Sequence, residues 1–267
     1  MFDKLKEGKV LVGGSEMHYV SFGTGSIPLV LIPGLGDGLA SVKGKGIVLW
    51  HSYRIFAKNY RVWIFSRKNQ LEPGSTTRDM ARDLAQALSQ QQIGPAQVMG
   101  VSQGGMIAQW LAVDYPERVA KLVLGITVSH SNETIKSVVQ TWLDMYREKR
   151  YGDLTVDTME KTFTDKYLKK VRPFYWLLRL YKPSAGERFI IQAQSCLNHD
   201  ARGKLAQLPM PVLVIGGGQD LVTGSGSLEE LASEIPHSKL IVFPELGHGA
   251  FEETREFNLG VLKFLVG

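Results

Sequence analysis

The sequence predicts an α/β fold: a mostly parallel eight-stranded sheet with helices on both faces, interrupted by a helical insertion. Three observations predict it. Short β-branched apolar runs alternate with segments of helix period. Most of these runs are apolar throughout, as strands buried on both faces of a parallel sheet are. The alternation stops between about Ser129 and Lys204, where only helix-like segments remain. A chain of 267 residues is long enough to bury one full core and carry such an insertion.

In chain order, "KVLV" and "MHYVSF" flank Gly13-Gly14 and read as a hairpin. "PLVLIPGLGDG" is a third strand running into a glycine-rich loop, and "YRVWIFS" a fourth. "TTRDMARDLAQALSQQ" places Met80, Leu84, Ala87 and Leu88 at helix spacing. "AQVMGVS" is the fifth strand, followed by a helix over "GGMIAQWLAVDYPERV" that ends near Pro116. "AKLVLGIT" is the sixth. The insertion, 129–204, reads as a cap on a core formed by 1–128 and 205–267. "MPVLVIGGG" and "SKLIVFPE" complete the strands, and "FEETREFNLGVLKFL" is a terminal helix.

Composition is that of an ordinary globular chain, with 44% hydrophobic and 21% charged residues. A net charge of +5 is mild at this size and does not point to nucleic acid. The single cysteine, Cys196, has no partner for an internal disulfide, which fits a reducing compartment. The N-terminal stretch lacks a signal-type apolar region, and no apolar run reaches about 18 residues. A cytoplasmic location without membrane insertion is expected. "GTGS" and "GLGDG" lack the G-x-G-x-x-G spacing and the Walker lysine, and there is no H-x-x-x-H or cysteine pair. No cofactor and no metal are expected.

The stretch "VMGVSQGGMIAQW" carries the chemistry. Gly100-Val101-Ser102-Gln103-Gly104 fits G-x-S-x-G. Five residues alone are weak, and a capping serine in a glycine-rich turn would look the same. Context adds the rest, because a strand ends at the motif and a helix begins inside it. Such a turn holds a serine side chain up at its apex. A serine hydroxyl is a poor nucleophile without a base, and the base needs an orienting acid. Of six histidines, only His248 in "ELGHGAFEE" follows a strand in a glycine-flanked loop. Asp220, after "VLVIGGGQ", follows another strand and lies between the two in sequence. Asp200 and Glu245 are rival acids; the first leads into a strand, and the second shares the histidine's loop.

The order Ser102, Asp220, His248, each after a strand, resembles the α/β-hydrolase family from Val10 to Leu265. The resemblance implies Ser102 as nucleophile, His248 as general base and then acid, and Asp220 as orienter. It also implies an oxyanion hole from the backbone N–H groups of Gln103 and Leu35. Two stretches depart from the family pattern. Pro33-Gly34 stands where many relatives carry His-Gly, and "SRKNQLEPGSTTRD" lacks Asp-x-Arg-Gly-x-Gly. "SVKGKGIVLW" reads as a long basic link before the first helix.

Serine with histidine implies acyl transfer, so a carboxylesterase-like hydrolase acting on a small-molecule acyl substrate leads. A lactonase, thioesterase, C–C hydrolase, acyltransferase or perhydrolase shares the chemistry, and a non-enzymatic ligand receptor shares the fold. Gly34, Trp142, Tyr146 and Phe174 are candidates for the substrate pocket. Between Ser131 and Ile190 there are 12 Lys/Arg and 8 Asp/Glu, which either steers an anionic substrate or decorates solvated helices. A homodimer stays open.

Overall fold

A computed structural model describes residues 4–180, 182–183 and 186–267. Residues 1–3 of the expected core and 181, 184 and 185 of the expected insertion lie outside the described residues. Eight strands form one sheet: β1 (Lys6–Val12), β2 (Ser15–Phe22), β3 (Ile27–Ile32), β4 (Tyr60–Lys68), β5 (Ala96–Val101), β6 (Val119–Gly125), β7 (Val212–Gly217) and β8 (Lys239–Phe243). Their spatial order is β1-β2-β4-β3-β5-β6-β7-β8. β1 and β2 form the hairpin, and β2 also runs antiparallel to β4. All other pairings are parallel.

The helices are α1 (Gly46–Tyr53), α2 (Thr77–Gln90), α3 (Gln103–Asp114), α4 (Glu133–Arg147), α5 (Tyr151–Thr162), α6 (Asp165–Val171), α7 (Tyr175–Leu178), α8 (Arg188–Leu197), α9 (Ser227–Ser233), α10 (Ala250–Glu253) and α11 (Arg255–Val266). The two-residue period of the strands sorts side chains to opposite faces. Val30 and Ile32 join Met80 and Leu84 of α2, Ile107 and Leu111 of α3, and Leu228 of α9. Leu29 and Leu31 join Phe257 and Val261 of α11, with Leu49 and Tyr53 of α1 packed against them. Both faces are therefore covered, which is why the central strands read as apolar throughout.

α2 starts at a capping box. Thr76 accepts the Asp79 N–H at 3.1 Å, and the Asp79 carboxylate accepts the Thr76 N–H at 2.9 Å. α1 overturns part of the expected link, since it occupies the second half of "SVKGKGIVLW". Its start is secured from another element: the Glu7 carboxylate of β1 accepts the N–H groups of Gly44 (2.7 Å) and Gly46 (2.9 Å). A carboxylate at a helix N-terminus satisfies orphan donors and opposes the dipole, and here it comes from 39 residues away.

Between β6 and β7 the described residues form helices α4–α8 and short 3-10 turns. The chain enters and leaves this segment side by side. The Ser131 N–H donates to His199 O and the Ala201 N–H to Ser129 O, both at 2.8 Å. Ile135, Val139, Trp142 and Tyr146 of α4 pack with Leu154 and Phe189 onto Met106 of α3 and onto Leu35, Val128 and Val222 in the segments that follow β3, β6 and β7. No helix among the described residues is long and apolar enough to cross a membrane.

Candidate active site

β5 is buried along its whole length and delivers Ser102 directly to the start of α3. Ser102 has φ +55° and ψ −122°, a conformation costing roughly 1–3 kcal/mol for a non-glycine residue. It is held by an N–H donated to Gly125 O (2.9 Å) and by the Thr127 hydroxyl donated to its carbonyl (2.8 Å). The flanking glycines are required by approach distance. A Cβ on Gly104 would stand 1.9 Å from Ile32 O, and one on Gly100 2.2 Å from Gly104 O. Only bare backbone lets α3 start this close to β3 and β5.

Three side chains from three strand ends meet here. His248 Nε2 lies 3.0 Å from Ser102 Oγ, and His248 Nδ1 lies 2.7 Å from Asp220 Oδ2. A carboxylate only accepts, so Nδ1 carries the proton and Nε2 is free to accept from the serine hydroxyl. The other oxygen of Asp220 accepts the N–H groups of Val222 (2.7 Å) and Thr223 (2.8 Å). Burial works to raise the Asp220 carboxyl, but His248 and these hydrogen bonds hold it below the usual carboxylate range. Asp220 and His248 are buried, while Ser102 is partly exposed.

Leu35 opens a 3-10 turn, Leu35–Gly38, and Gln103 opens α3. The N–H at a helix's first position has no acceptor within that helix. The two helix starts adjoin: a Cβ on Gly34 would stand 3.2 Å from Ser102 Cβ.

The rival acid Asp200 and the histidines His18, His199 and His237 are engaged with other partners. Asp200 is salt-bridged to Arg202 at 2.6 Å. His199 is buried between Thr77 Oγ1 (2.9 Å) and Gln109 Oε1 (3.3 Å), and burial pulls it down to about 3. His237 faces Met210 O at 3.1 Å, and His18 faces Asn69 at 3.2 Å. Trp142 and Tyr146 are buried in the cluster that holds Leu35, with their polar ends bonded, Trp142 to Asp157 (2.7 Å) and Tyr146 to Gly186 O (2.7 Å). Phe174 is 55% exposed and belongs to none of the apolar clusters. Of the 12 Lys/Arg between Ser131 and Ile190, Lys136, Arg147, Arg150, Lys161, Arg172, Arg179 and Arg188 are in ion pairs. Arg188 is buried against Asp37, and the surface pairing of the other six favours the solvated-helix reading of that charge.

The structure adds features that sequence reasoning missed. A cleft of about 610 Å³ opens between α1, α6 and α10, lined by Leu49, Tyr53, Tyr167 and Phe251 among others. Leu49 and Tyr53 also line an apolar cavity of about 50 Å³ whose wall includes Pro33 and Val101, the residues next to Gly34 and Ser102. The end of α5 touches the histidine loop, where Thr162 O accepts the Gly249 N–H at 2.6 Å. Among the described residues, His130, Glu230 and Glu234 form one group whose potential ligand atoms lie within 4.8 Å of one another. His130 is distant in the chain from Glu230 and Glu234, so spacing gave no sign of the group.

The sequence profile of the alpha/beta hydrolase fold matches residues 27–254. The chain belongs to the alpha/beta hydrolase family. A putative non-heme bromoperoxidase, BpoC, from Mycobacterium tuberculosis is 27% identical over 247 residues, covering 86% of this chain and 94% of that protein. A 2-hydroxy-6-oxononadienedioate/2-hydroxy-6-oxononatrienedioate hydrolase from Burkholderia vietnamiensis is 30% identical over 279 residues, covering 96% and 93%. The crystal structure of the enol-lactonase from Burkholderia xenovorans LB400 superposes with a TM-score of 0.83 at 20% identity, covering 97% of this chain and 100% of that one. That last likeness concerns the fold.

Proposed function

We propose that this alpha/beta hydrolase is a cofactor-free serine hydrolase that cleaves a small ester or related acyl compound through an acyl-enzyme. One observation carries the reading: the hydrogen-bonded line from Asp220 through His248 to Ser102, with the serine raised on a strand–helix turn. In this reading His248 Nε2 takes the Ser102 proton as Oγ attacks the substrate carbonyl, while Asp220 holds Nδ1–H and stabilises the imidazolium. The charge that develops on the carbonyl oxygen meets the N–H groups of Leu35 and Gln103, each typically worth about 3–4 kcal/mol. His248 then protonates the leaving group, and water repeats the sequence on the acyl-enzyme. Nucleophile, base and anion site are all protein groups, so the chemistry needs no cofactor. The helical segment 129–204 acts as a cap, and the α1–α6–α10 cleft is the approach for a small acyl compound.

The test is intact-protein mass after a fluorophosphonate probe, on wild type and Ser102→Ala. One adduct on wild type and none on the variant is expected. An unmodified, folded wild type would overturn the proposal and favour a ligand receptor on the same fold. Short p-nitrophenyl esters, lactones, and hydrogen peroxide in acetate buffer then separate esterase, lactonase and perhydrolase.

A further inference from the structure

The stretch that departs from the family pattern, Ser66-Arg67-Lys68, leads into the most heavily charged buried cluster near the site. Arg67, the penultimate residue of β4, is 2% exposed. Its Nη2 donates to two groups at once: Pro33 O in the loop after β3, and Gln103 Oε1 at 3.0 Å at the start of α3. The Gln103 amide cannot turn away, because its Nε2 donates to Gln192 O (2.7 Å) and Ser195 Oγ (3.2 Å). Behind Arg67 lies Asp37, which accepts from Ser66 Oγ (2.6 Å), from the Arg67 N–H (3.1 Å) and from Arg188 of α8. Burial works to raise the Asp37 carboxyl, but Arg188 and Arg67 hold it well down. Burial lowers Arg67 to about 10, which leaves it charged at neutral pH. The cluster is thus two guanidiniums against one carboxylate. Arg67 Nε and Nη1 have no hydrogen-bond partner among the described residues, so Nη2 is the nitrogen through which the side chain bonds.

We propose that Arg67 is a positioning residue for the oxyanion hole. This rests on the hydrolase reading above. A single nitrogen bridges the two chain segments that supply the donor N–H groups: Pro33 lies two residues before Leu35, and Gln103 is itself the second donor. Fixing the separation of two donors before charge develops is what makes such a site effective, since nothing has to reorganise during the reaction. The excess positive charge of the cluster lies behind the same site and favours the oxyanion over the neutral carbonyl. Asp37 Oδ2, 3.8 Å from Arg67 Nη1, pairs with the guanidinium from behind. The cluster supplies a support for the Pro33-Gly34 loop that owes nothing to the missing family motif.

The test compares wild type, Arg67→Met and Gln103→Met. The second variant cuts the bridge but keeps the backbone donor. Measured are melting temperature, kcat and KM on a p-nitrophenyl ester, and Ki for a trifluoromethyl ketone, which forms an oxyanion with the serine. For Arg67→Met we expect kcat to fall about 100-fold at near-constant KM, with Ki rising in step. For Gln103→Met the fall is about tenfold. A structural role alone would lower the melting temperature and leave kcat and Ki of the folded fraction at wild-type values, which overturns the proposal. If Arg67→Met does not fold, Gln103→Met decides by the same readouts. A wild type that neither labels with fluorophosphonate nor turns over ester overturns the hydrolase reading and this inference with it. Labelling with unchanged variants overturns the inference alone.

Discussion

Replacing Asp220 by asparagine removes one charge and one acceptor with almost no change in shape. Oδ1 of Asp220 accepts two backbone N–H groups, while Oδ2 accepts His248 Nδ1–H at 2.7 Å. An asparagine has one oxygen to serve both sides. Turning its NH2 toward Val222 and Thr223 would leave two buried donors facing a donor, at about 1–3 kcal/mol each. The oxygen therefore takes the Oδ1 place, and the NH2 faces His248. Nδ1 must then accept, so the ring proton moves to Nε2 and points at Ser102 Oγ, 3.0 Å away. A protonated Nε2 cannot take the serine proton. The expected loss is about 10⁴-fold in kcat, or about 5 kcal/mol of transition-state stabilisation. The assay is p-nitrophenyl ester turnover, with the fluorophosphonate labelling rate as an independent readout of the same base and melting temperature as the control for folding. A folded Asp220→Asn protein within tenfold of wild-type kcat would refute the reasoning and send the orienting role to another carboxylate.

Other perturbations have equally definite outcomes. His199 is held at about 3 by burial against an ordinary value of 6.5, so between those limits the unfolded chain binds a proton that the folded one does not. Its contribution is complete above pH 6.5 and is lost as pH falls, by about 2 kcal/mol between pH 7 and pH 5. Urea midpoints should show that slope in wild type and a smaller one in His199→Gln; equal slopes would place the acid sensitivity in another group. Gly104→Ala drives a Cβ into Ile32 O, and the expected loss is about 2–4 kcal/mol of stability in urea unfolding. Leu49→Trp adds bulk to the wall that the large cleft and the cavity at Pro33 share. KM for a p-nitrophenyl ester should rise several-fold with kcat near wild type, and an unchanged KM would move the approach to another face.

The sheet was legible because each strand carries its own evidence. "VLVI" in β7 and "LVLI" in β3 are apolar without break, a local property that burial on two faces demands. The candidate triad was legible for a related reason. Ser102 and His248 sit among glycines, Asp220 follows a glycine-rich turn, and the order along the chain is itself informative. Their meeting is a tertiary fact, with Ser102 and His248 separated by 146 residues.

What escaped sequence reading depends on partners distant in the chain. Trp142 and Tyr146 are pocket candidates from the sequence, but what they pack against, Leu35 and Met106 among others, is set by the fold. The start of α1 rests on a carboxylate of β1, and no local pattern announces a cap supplied from elsewhere. Arg67 and Asp37 are charged residues in loop-like or strand-edge sequence, where solvent is the ordinary expectation. They are buried because Arg188 arrives from 151 residues beyond Asp37 and closes the charge cluster. Periodicity and turn chemistry are written in neighbouring residues, and so the strands and their order along the chain follow from the sequence alone. Desolvation and charge pairing depend on which surfaces meet, and that is set when distant segments pack together.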